Sequence, residues 1–127
     1  MNTLPTSVRA AATEIRRRKI LDAALRCFSR AGLADAKMDD ICAEAGVSTG
    51  SVYHHFAGKD QLAAALFLDG QRDYQEGLLA ELRRHATAER GIRAMVSHHI
   101  DWVVRHPEWA RFLNQHRQAE FLASAQP

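Results

Sequence analysis

The sequence has little of what several common protein classes require. Its two cysteines, Cys27 and Cys42, are too few for a disulfide scaffold. No apolar run approaches the roughly 20 residues that a membrane-spanning helix needs. The longest extends from Leu62 to Leu68, and the polar N-terminus lacks the apolar segment of a signal peptide. The sequence therefore predicts a soluble cytoplasmic protein without a membrane partner, whose cysteines are reduced and buried.

Catalytic and metal-binding motifs are also missing. Seven histidines are present, and some stand one helical turn from a carboxylate, as His98 and Asp101 or His116 and Glu120 do. A metal site needs three or four convergent ligands at characteristic spacings, which these pairs do not supply. We therefore expect neither an enzyme nor a bound cofactor. An all-helical enzyme that uses the histidines is the alternative, and it requires bound metal.

The net charge of the chain is small, but its basic and acidic side chains are unevenly distributed. The net charge of +2 is too small to indicate a nucleic-acid partner. Residues 1–31, however, hold seven basic and two acidic side chains, a net +5, and the remaining 96 residues sum to −3. Four of the basic side chains are consecutive, from Arg16 to Lys19. Such a run is either a solvated helix face or a phosphate contact, and an adjoining DNA-binding motif favours the second.

Apolar residues recur at helical spacing along the chain, and no segment alternates between apolar and polar residues for long enough to indicate a sheet. After a loose arm at residues 1–8, this pattern predicts helices at about 9–31, 38–45, 49–56, 59–86, 88–105 and 107–122. Gly70 and Gly77 in the fourth helix indicate either close packing of a neighbouring helix or a slight bend, and we favour packing. In the first helix the apolar positions Ile20, Ala24, Cys27, Phe28 and Ala31 recur at helical spacing, and Gly32 ends the helix. The apolar face of the fifth comprises Ile92, Met95, Val96, His99 and Val103.

The stretch from Ile41 to Leu62 predicts two short helices joined by a glycine turn, which is a helix-turn-helix pattern. Gly46 stands where the first helix must end, since a residue without Cβ enters the left-handed C-cap conformation at no steric cost. Ser48 can then cap the second helix through its side-chain oxygen. A small core between the helices is expected from Ile41, Ala45, Val47, Val52 and Phe56. The outer face keeps polar side chains, and that chemistry suits DNA.

The chain resembles the tetracycline-repressor (TetR) family over roughly residues 14–74. The resemblance is carried, in order, by Ile20, Leu21, Ala23, Ala24, Phe28, Gly32, Ile41, Ala45, Gly46, Val47, Ser48, Gly50, Tyr53, Phe56, Lys59 and Leu62. It implies an all-α fold. Residues 14–74 would form a three-helix DNA-binding head with a helix-turn-helix, and residues 75–127 the first helices of a ligand-binding and dimerisation body.

Two positions depart from the family pattern. Cys42 replaces the usual alanine, and Lys37 replaces a threonine or serine that caps the second helix and binds phosphate. Lysine cannot cap a helix, but its charge could still meet the same phosphate. Asp35 could cap the helix in a slightly different register.

The resemblance implies that the helix starting at Thr49 enters the major groove of DNA. Thr49, Gly50 and His54 are the candidates for contact with base edges. Phosphate contacts, which set the register on the duplex, are expected from the other members of the motif. These are Lys37, Met38, Ser48, Ser51, Tyr53, His55 and Lys59. Lys59 and the N-terminal N–H groups of the fourth helix are expected to hold one phosphate together. For Tyr53 the alternative is a ring that covers the small core, with its hydroxyl in water.

The resemblance implies a transcriptional regulator, usually a repressor, that binds a palindromic double-stranded DNA operator as a homodimer and leaves it when a small effector binds. Candidates for an apolar effector pocket are Met95, His99, Trp102, Trp109 and Phe112, which could equally be core. Family members usually continue through further helices that form the dimer interface. We therefore expect a truncated chain whose fifth and sixth helices expose apolar faces. The alternative function is a helical interaction module that pairs with another regulator without binding DNA alone.

Overall fold

A computed structural model describes residues 6–116, and every regular element in this range is an α-helix. The helices are α1 Thr6–Ala31, α2 Met38–Ala45, α3 Thr49–His55, α4 Lys59–Arg83, α5 Ala88–Arg105 and α6 Pro107–Gln115. The all-α prediction is confirmed. The predicted loose arm is wrong at residues 6–8, which are helical, and its residues 1–5 lie outside the described part, as do residues 117–122 of the predicted sixth helix. None of the described helices is long and apolar enough to cross a membrane.

The chain divides into two compact units within α4, between Ala63 and Ala64. We call residues 6–63 the head and residues 64–116 the body. The boundary proposed from the sequence, after residue 74, falls later in the same helix.

The head is built around α1, which packs against α2, and α2 in turn contacts α3. Its buried apolar side chains are Ile20, Leu21, Ala23, Ala24, Cys27, Phe28, Ala36, Ile41, Cys42, Val52, Phe56, Leu62 and Ala63. Both cysteines are buried and form no disulfide, as predicted. Ala31, the last of the apolar positions that recur along α1, is exposed beside the Gly32 turn. Ala45 and Val47, expected in the core, are only half-buried at the turn between α2 and α3.

The two turn-forming residues of the helix-turn-helix behave as the sequence predicts. Gly46 has a left-handed φ of 68°, and its N–H bonds to the carbonyls of Cys42 and Ala43. Ser48 caps α3, since its Oγ accepts a hydrogen bond of 3.1 Å from the N–H of Ser51. The start of α2 is different, because Lys37 holds the N-cap position without a side-chain hydrogen bond. Asp35 therefore does not take over that position.

Both glycines of α4 lie where another helix of the body comes close. A Cβ on Gly70 would lie 2.6 Å from Nε1 of Trp109, and one on Gly77 would lie 2.5 Å from Cε1 of His98. Neither distance leaves room for a methyl group. Close packing, predicted for these glycines, is confirmed.

The apolar face of α5 that the sequence identifies is exposed, as expected. Ile92 and Val96 are 58% and 52% exposed, and Met95, His99 and Val103 are exposed as well. The side of α5 that turns inward instead holds Trp102, only 5% exposed, and the half-buried His98. The ring nitrogens of His98 and Trp102 form hydrogen bonds with α4, and the side of α5 that carries them is therefore buried in place of the more apolar side. As expected, α5 exposes an apolar surface, whereas no large apolar side chain of α6 is exposed within Pro107–Gln115.

Candidate nucleic-acid interface

The exposed side of α3 carries the side chains expected to read bases. Val52 is fully buried and fixes the inner side of this helix. At about 100° per residue, Gly50 and His54 lie opposite Val52, whereas Tyr53 and Thr49 lie about 100° and about 60° from it on the same flank. All four are exposed. The structure therefore brings the three base-edge candidates and Tyr53 onto one surface, which we call the reading face (Thr49, Gly50, Tyr53, His54).

The candidates for phosphate contact surround the reading face with different degrees of exposure. Tyr53 is 47% exposed, which argues against a ring that serves to cover the core. Ser48 and Lys37 are exposed. Met38, Ser51 and His55 are half-buried. The Oγ of Ser48 accepts the hydrogen bond that caps α3, and its hydroxyl proton can still be donated to an acceptor such as a phosphate oxygen.

Gly50 has no structural need to be glycine. A Cβ at this position would meet no atom within 4 Å, and its φ lies outside the left-handed region. Glycine inside a helix nevertheless costs about 1 kcal/mol relative to alanine. A residue that weakens its own helix without a steric reason within the chain fits a surface that another molecule approaches closely.

Lys59 has a partner that the sequence did not reveal. Its Nζ donates hydrogen bonds to the carbonyl oxygens of Leu33, at 2.8 Å, and Ala34, at 3.0 Å. These carbonyls belong to the loop between α1 and α2, so the lysine fastens this loop to the start of α4. An ammonium has three N–H donors, and two of them are engaged here.

The basic run of α1 lies beside the C-terminal end of α3. The guanidinium carbon of Arg17 is 5.9 Å from the centre of the Phe56 ring, a cation–π distance. Burial lowers the pKa of the His55 imidazole, and the charges of His54, Arg16 and Arg17 lower it further. His55 is therefore neutral near pH 7. Cations of the first helix thus lie beside the C-terminal end of α3, although nearly 40 residues separate Arg17 from Phe56 in the sequence.

Two other basic residues of α1 form ion pairs with α2. Arg26 Nε lies 2.9 Å from Glu44 Oε1, and Arg30 Nη2 lies 3.4 Å from Glu44 Oε2. Hydrogen bonds from Arg26 and Arg30 lower the pKa of the Glu44 carboxyl. Part of the +5 charge of residues 1–31 is therefore neutralised within the head.

The body contains a cavity of about 550 Å³ that is lined by α4, α5 and α6 and open to solvent. Its apolar lining consists of Phe67, Trp102, Val103, Pro107, Ala110 and Leu113. Its polar lining consists of Gln71, Tyr74, His99, Arg111 and Asn114. The volume lies within the range of small-molecule sites, about 300–1,000 Å³.

Only two of the five predicted pocket residues line this cavity, His99 and Trp102. Trp109 lies instead against Gly70 and donates from Nε1 to the carbonyl of Leu66 at 2.8 Å. Phe112 is buried, and Met95 belongs to the exposed side of α5. The sequence missed the contribution of α4, although Phe67, Gln71 and Tyr74 recur at one-turn spacing and thus share a helix face.

Hydrogen bonds between rings and α4 hold the cavity walls. Tyr74 Oη lies 2.9 Å from Nδ1 of His99, and Trp102 Nε1 donates to Oδ2 of Asp73 at 2.8 Å. His98 Nε2 lies 3.0 Å from the carbonyl oxygen of Tyr74. Because a carbonyl only accepts, His98 carries a proton on Nε2. Within residues 6–116, no three His, Cys, Asp or Glu side chains are grouped to hold a metal ion.

Comparison with known proteins matches residues 20–66 to the family described as bacterial regulatory proteins, tetR family. The HTH-type transcriptional regulator BetI of Escherichia coli O127:H6 is 35% identical over 89 residues, covering 68% of this chain and 46% of BetI. The HTH-type transcriptional regulator SrpR of Pseudomonas putida is 36% identical over 87 residues, covering 68% of this chain and 41% of SrpR. The chain thus spans less than half the length of these two relatives.

Two solved structures share the fold. A TetR-like transcriptional regulator from Rhodococcus sp. RHA1 superposes with a TM-score of 0.76 at 27% identity, covering 98% of this chain and 64% of that one. A tetR family transcription regulator from Shewanella sp. PV-4 also gives a TM-score of 0.76, at 24% identity, over 87% of this chain and 58% of that one.

Proposed function

Because residues 20–66 place this chain in the TetR family of bacterial regulatory proteins, we propose that it is a sequence-specific DNA-binding transcriptional regulator whose head binds double-stranded DNA. The observation that carries the proposal is the exposed, polar reading face of α3, together with the cations of α1 beside the C-terminal end of this helix. Such a protein acts where the chromosome is, in the cytoplasm.

In this proposal the reading face enters the major groove. Thr49 and His54 address base edges, and Gly50 lets the helix approach the groove floor closely. Lys37, Met38, Ser48, Ser51, Tyr53, His55 and Lys59 set the register through the phosphate backbone. Two of the three N–H donors of Lys59 bond to loop carbonyls, and the third would donate to a phosphate. Arg16 and Arg17 add charge beside the C-terminal end of α3.

We further propose that the chain acts as a repressor on a palindromic operator, as a homodimer, and that an effector in the body cavity releases it. The support is the course of α4, which runs from the head into the body and supplies Phe67, Gln71 and Tyr74 to the cavity. A ligand that prefers one position of α4 over another shifts the population of DNA-competent heads.

The test is fluorescence anisotropy of the purified chain with a labelled fragment of its own upstream intergenic region and with a scrambled fragment of the same length. We expect tighter binding to the genomic fragment, with an affinity that falls as salt is raised. Thr49→Ala is expected to change the preference among operator variants, whereas Tyr53→Phe weakens binding to all sequences alike. Equal affinity for both fragments would contradict sequence-specific binding. An absence of binding to either would favour an interaction module.

A further inference from the structure

The cavity of the body carries a charge that no described lining residue balances. Among its described lining residues, Arg111 is the one with a permanent charge, and none is acidic. A cationic ligand would meet this guanidinium without a carboxylate to offset it. A ligand that carries a negative charge would pair with it instead.

The side chain of Arg111 forms no ion pair or hydrogen bond within residues 6–116, which is also true of Arg72, Arg83, Arg90 and Arg105, but among these it is Arg111 that lines the cavity. Arg84 pairs with Glu81 at 3.3 Å, and Arg93 pairs with Glu89 at 3.5 Å. Arg111 makes no ion pair or hydrogen bond of this kind with any described residue. Asn114 lies one turn further along α6 on the same face and also lines the cavity, so it adds a polar side chain to the same wall.

Aromatic rings form much of the remaining wall. Phe67, Tyr74 and Trp102 come from two helices, and the Tyr74 and Trp102 rings meet edge to face with centroids 5.4 Å apart. Edge-to-face and offset arrangements are the ones that a further planar ring joins favourably. The apolar part of the cavity is therefore suited to a flat, ring-bearing molecule.

We infer that the cavity binds an aromatic carboxylic acid, with its rings against Phe67, Tyr74 and Trp102 and its carboxylate at Arg111 and Asn114. The inference rests on the proposed role of this cavity as the effector site and specifies the chemical class of the effector. Arg111 provides the two parallel N–H donors that a carboxylate prefers. The side-chain amide of Gln71, which also lines the cavity and has no partner among the described residues, is a further polar group for a ring substituent.

The test is isothermal titration calorimetry of the full chain with 2-naphthoate and with 2-naphthamide, which has the same shape but no charge. We expect naphthoate to bind at least about tenfold more tightly than the amide, as a charge-assisted pair requires. In Arg111→Met, which keeps an apolar stem but loses the charge, naphthoate is expected to fall to the affinity of the amide. Arg93→Met, an arginine of α5 outside the cavity, removes the same charge and is expected to leave both affinities unchanged.

Far-UV circular dichroism of both variants verifies that the helices are retained. Equal affinities for naphthoate and naphthamide, no saturable binding of either, or an unchanged naphthoate affinity in Arg111→Met would each overturn the inference. Anisotropy with the upstream DNA fragment, measured without ligand, separates the two proposals. A protein that binds DNA but does not prefer naphthoate loses only the effector class, and one that binds naphthoate but no DNA loses the proposed regulatory function.

Discussion

At the scale of single residues, Gly50 and Lys59 are each expected to affect both the stability of the head and its binding to DNA. Gly50 weakens its helix although nothing in the chain requires glycine there. Lys59 fastens a loop through two of its donors and has one left. In the proposed DNA interface each of these two residues affects both stability and DNA binding, and substitution separates the two effects.

Replacing Gly50 with alanine is expected to stabilise the protein and weaken its binding to DNA. The added methyl group meets no atom of the chain and raises helix propensity, so the free energy of unfolding should rise by up to about 1 kcal/mol. The same methyl group would hold α3 away from the groove, and we expect roughly a tenfold loss of affinity. Urea denaturation and anisotropy measure the two effects. An unchanged affinity would show that DNA does not approach this position closely.

Replacing Lys59 with methionine is expected to affect both properties in the same direction. Two backbone carbonyls lose a charged donor, so the free energy of unfolding should fall by about 1–2 kcal/mol. If the third donor meets phosphate, binding weakens for all sequences and the dependence of log affinity on log salt concentration becomes less steep by about one unit. A loss of stability with an unchanged salt dependence would assign the lysine to the loop alone.

At the scale of helices, the ion pairs between α1 and α2 make the head sensitive to acid. Arg26 and Arg30 hold the pKa of Glu44 below its ordinary value of 4.5. The unfolded chain therefore binds a proton at Glu44 before the folded chain does, and this contribution to stability is full above the ordinary pKa and is lost as pH falls below it. The thermal midpoint should drop between pH 6 and pH 3 more in the wild type than in Glu44→Gln. Parallel curves for the two proteins would contradict this role.

Two glycines of the body allow a matched comparison of helix packing. Gly70→Ala would place a methyl group within 3 Å of the Trp109 indole and force it from its bond to Leu66, so we expect a loss of about 1–3 kcal/mol of stability. Gly91 is also helical, but its Cβ would lie 3.7 Å from Leu82, an ordinary contact. Gly91→Ala is therefore expected to be neutral or stabilising by up to about 1 kcal/mol. Urea denaturation of both variants checks this, and a stable Gly70→Ala protein would mean that Trp109 moves aside easily.

At the scale of the whole molecule, the proposed homodimer sets a spacing on the DNA. Two heads that meet successive major grooves on one side of the duplex must lie about 34–36 Å apart, or one helical turn. Inserting about five base pairs between the two halves of the operator should abolish binding of the second chain, and inserting about ten should restore part of it. Sedimentation equilibrium on these fragments gives the stoichiometry. Binding that ignores the insertion would indicate heads that act singly.

The sequence by itself determined the helices and the motif. The bounds of α2 and the first residues of α3 to α6 follow from it because caps, turns and periodic apolar residues act over three or four positions. Gly46 and Ser48 are examples, since each fulfils its role through atoms of its immediate neighbours. The sixteen motif positions identified the family for the same reason, because their order and spacing are properties of the chain alone.

Only the tertiary structure decided which side of α5 is buried, where Lys59 bonds and which residues line the cavity. The apolar pattern of α5 favours Ile92 and Val96, yet Trp102 and His98 turn inward because their ring N–H groups meet acceptors on α4. The carbonyls that hold Lys59 lie about 25 residues earlier in the chain. Such pairings depend on how separate helices approach each other, and periodicity within one helix describes a face but not the neighbour that covers it.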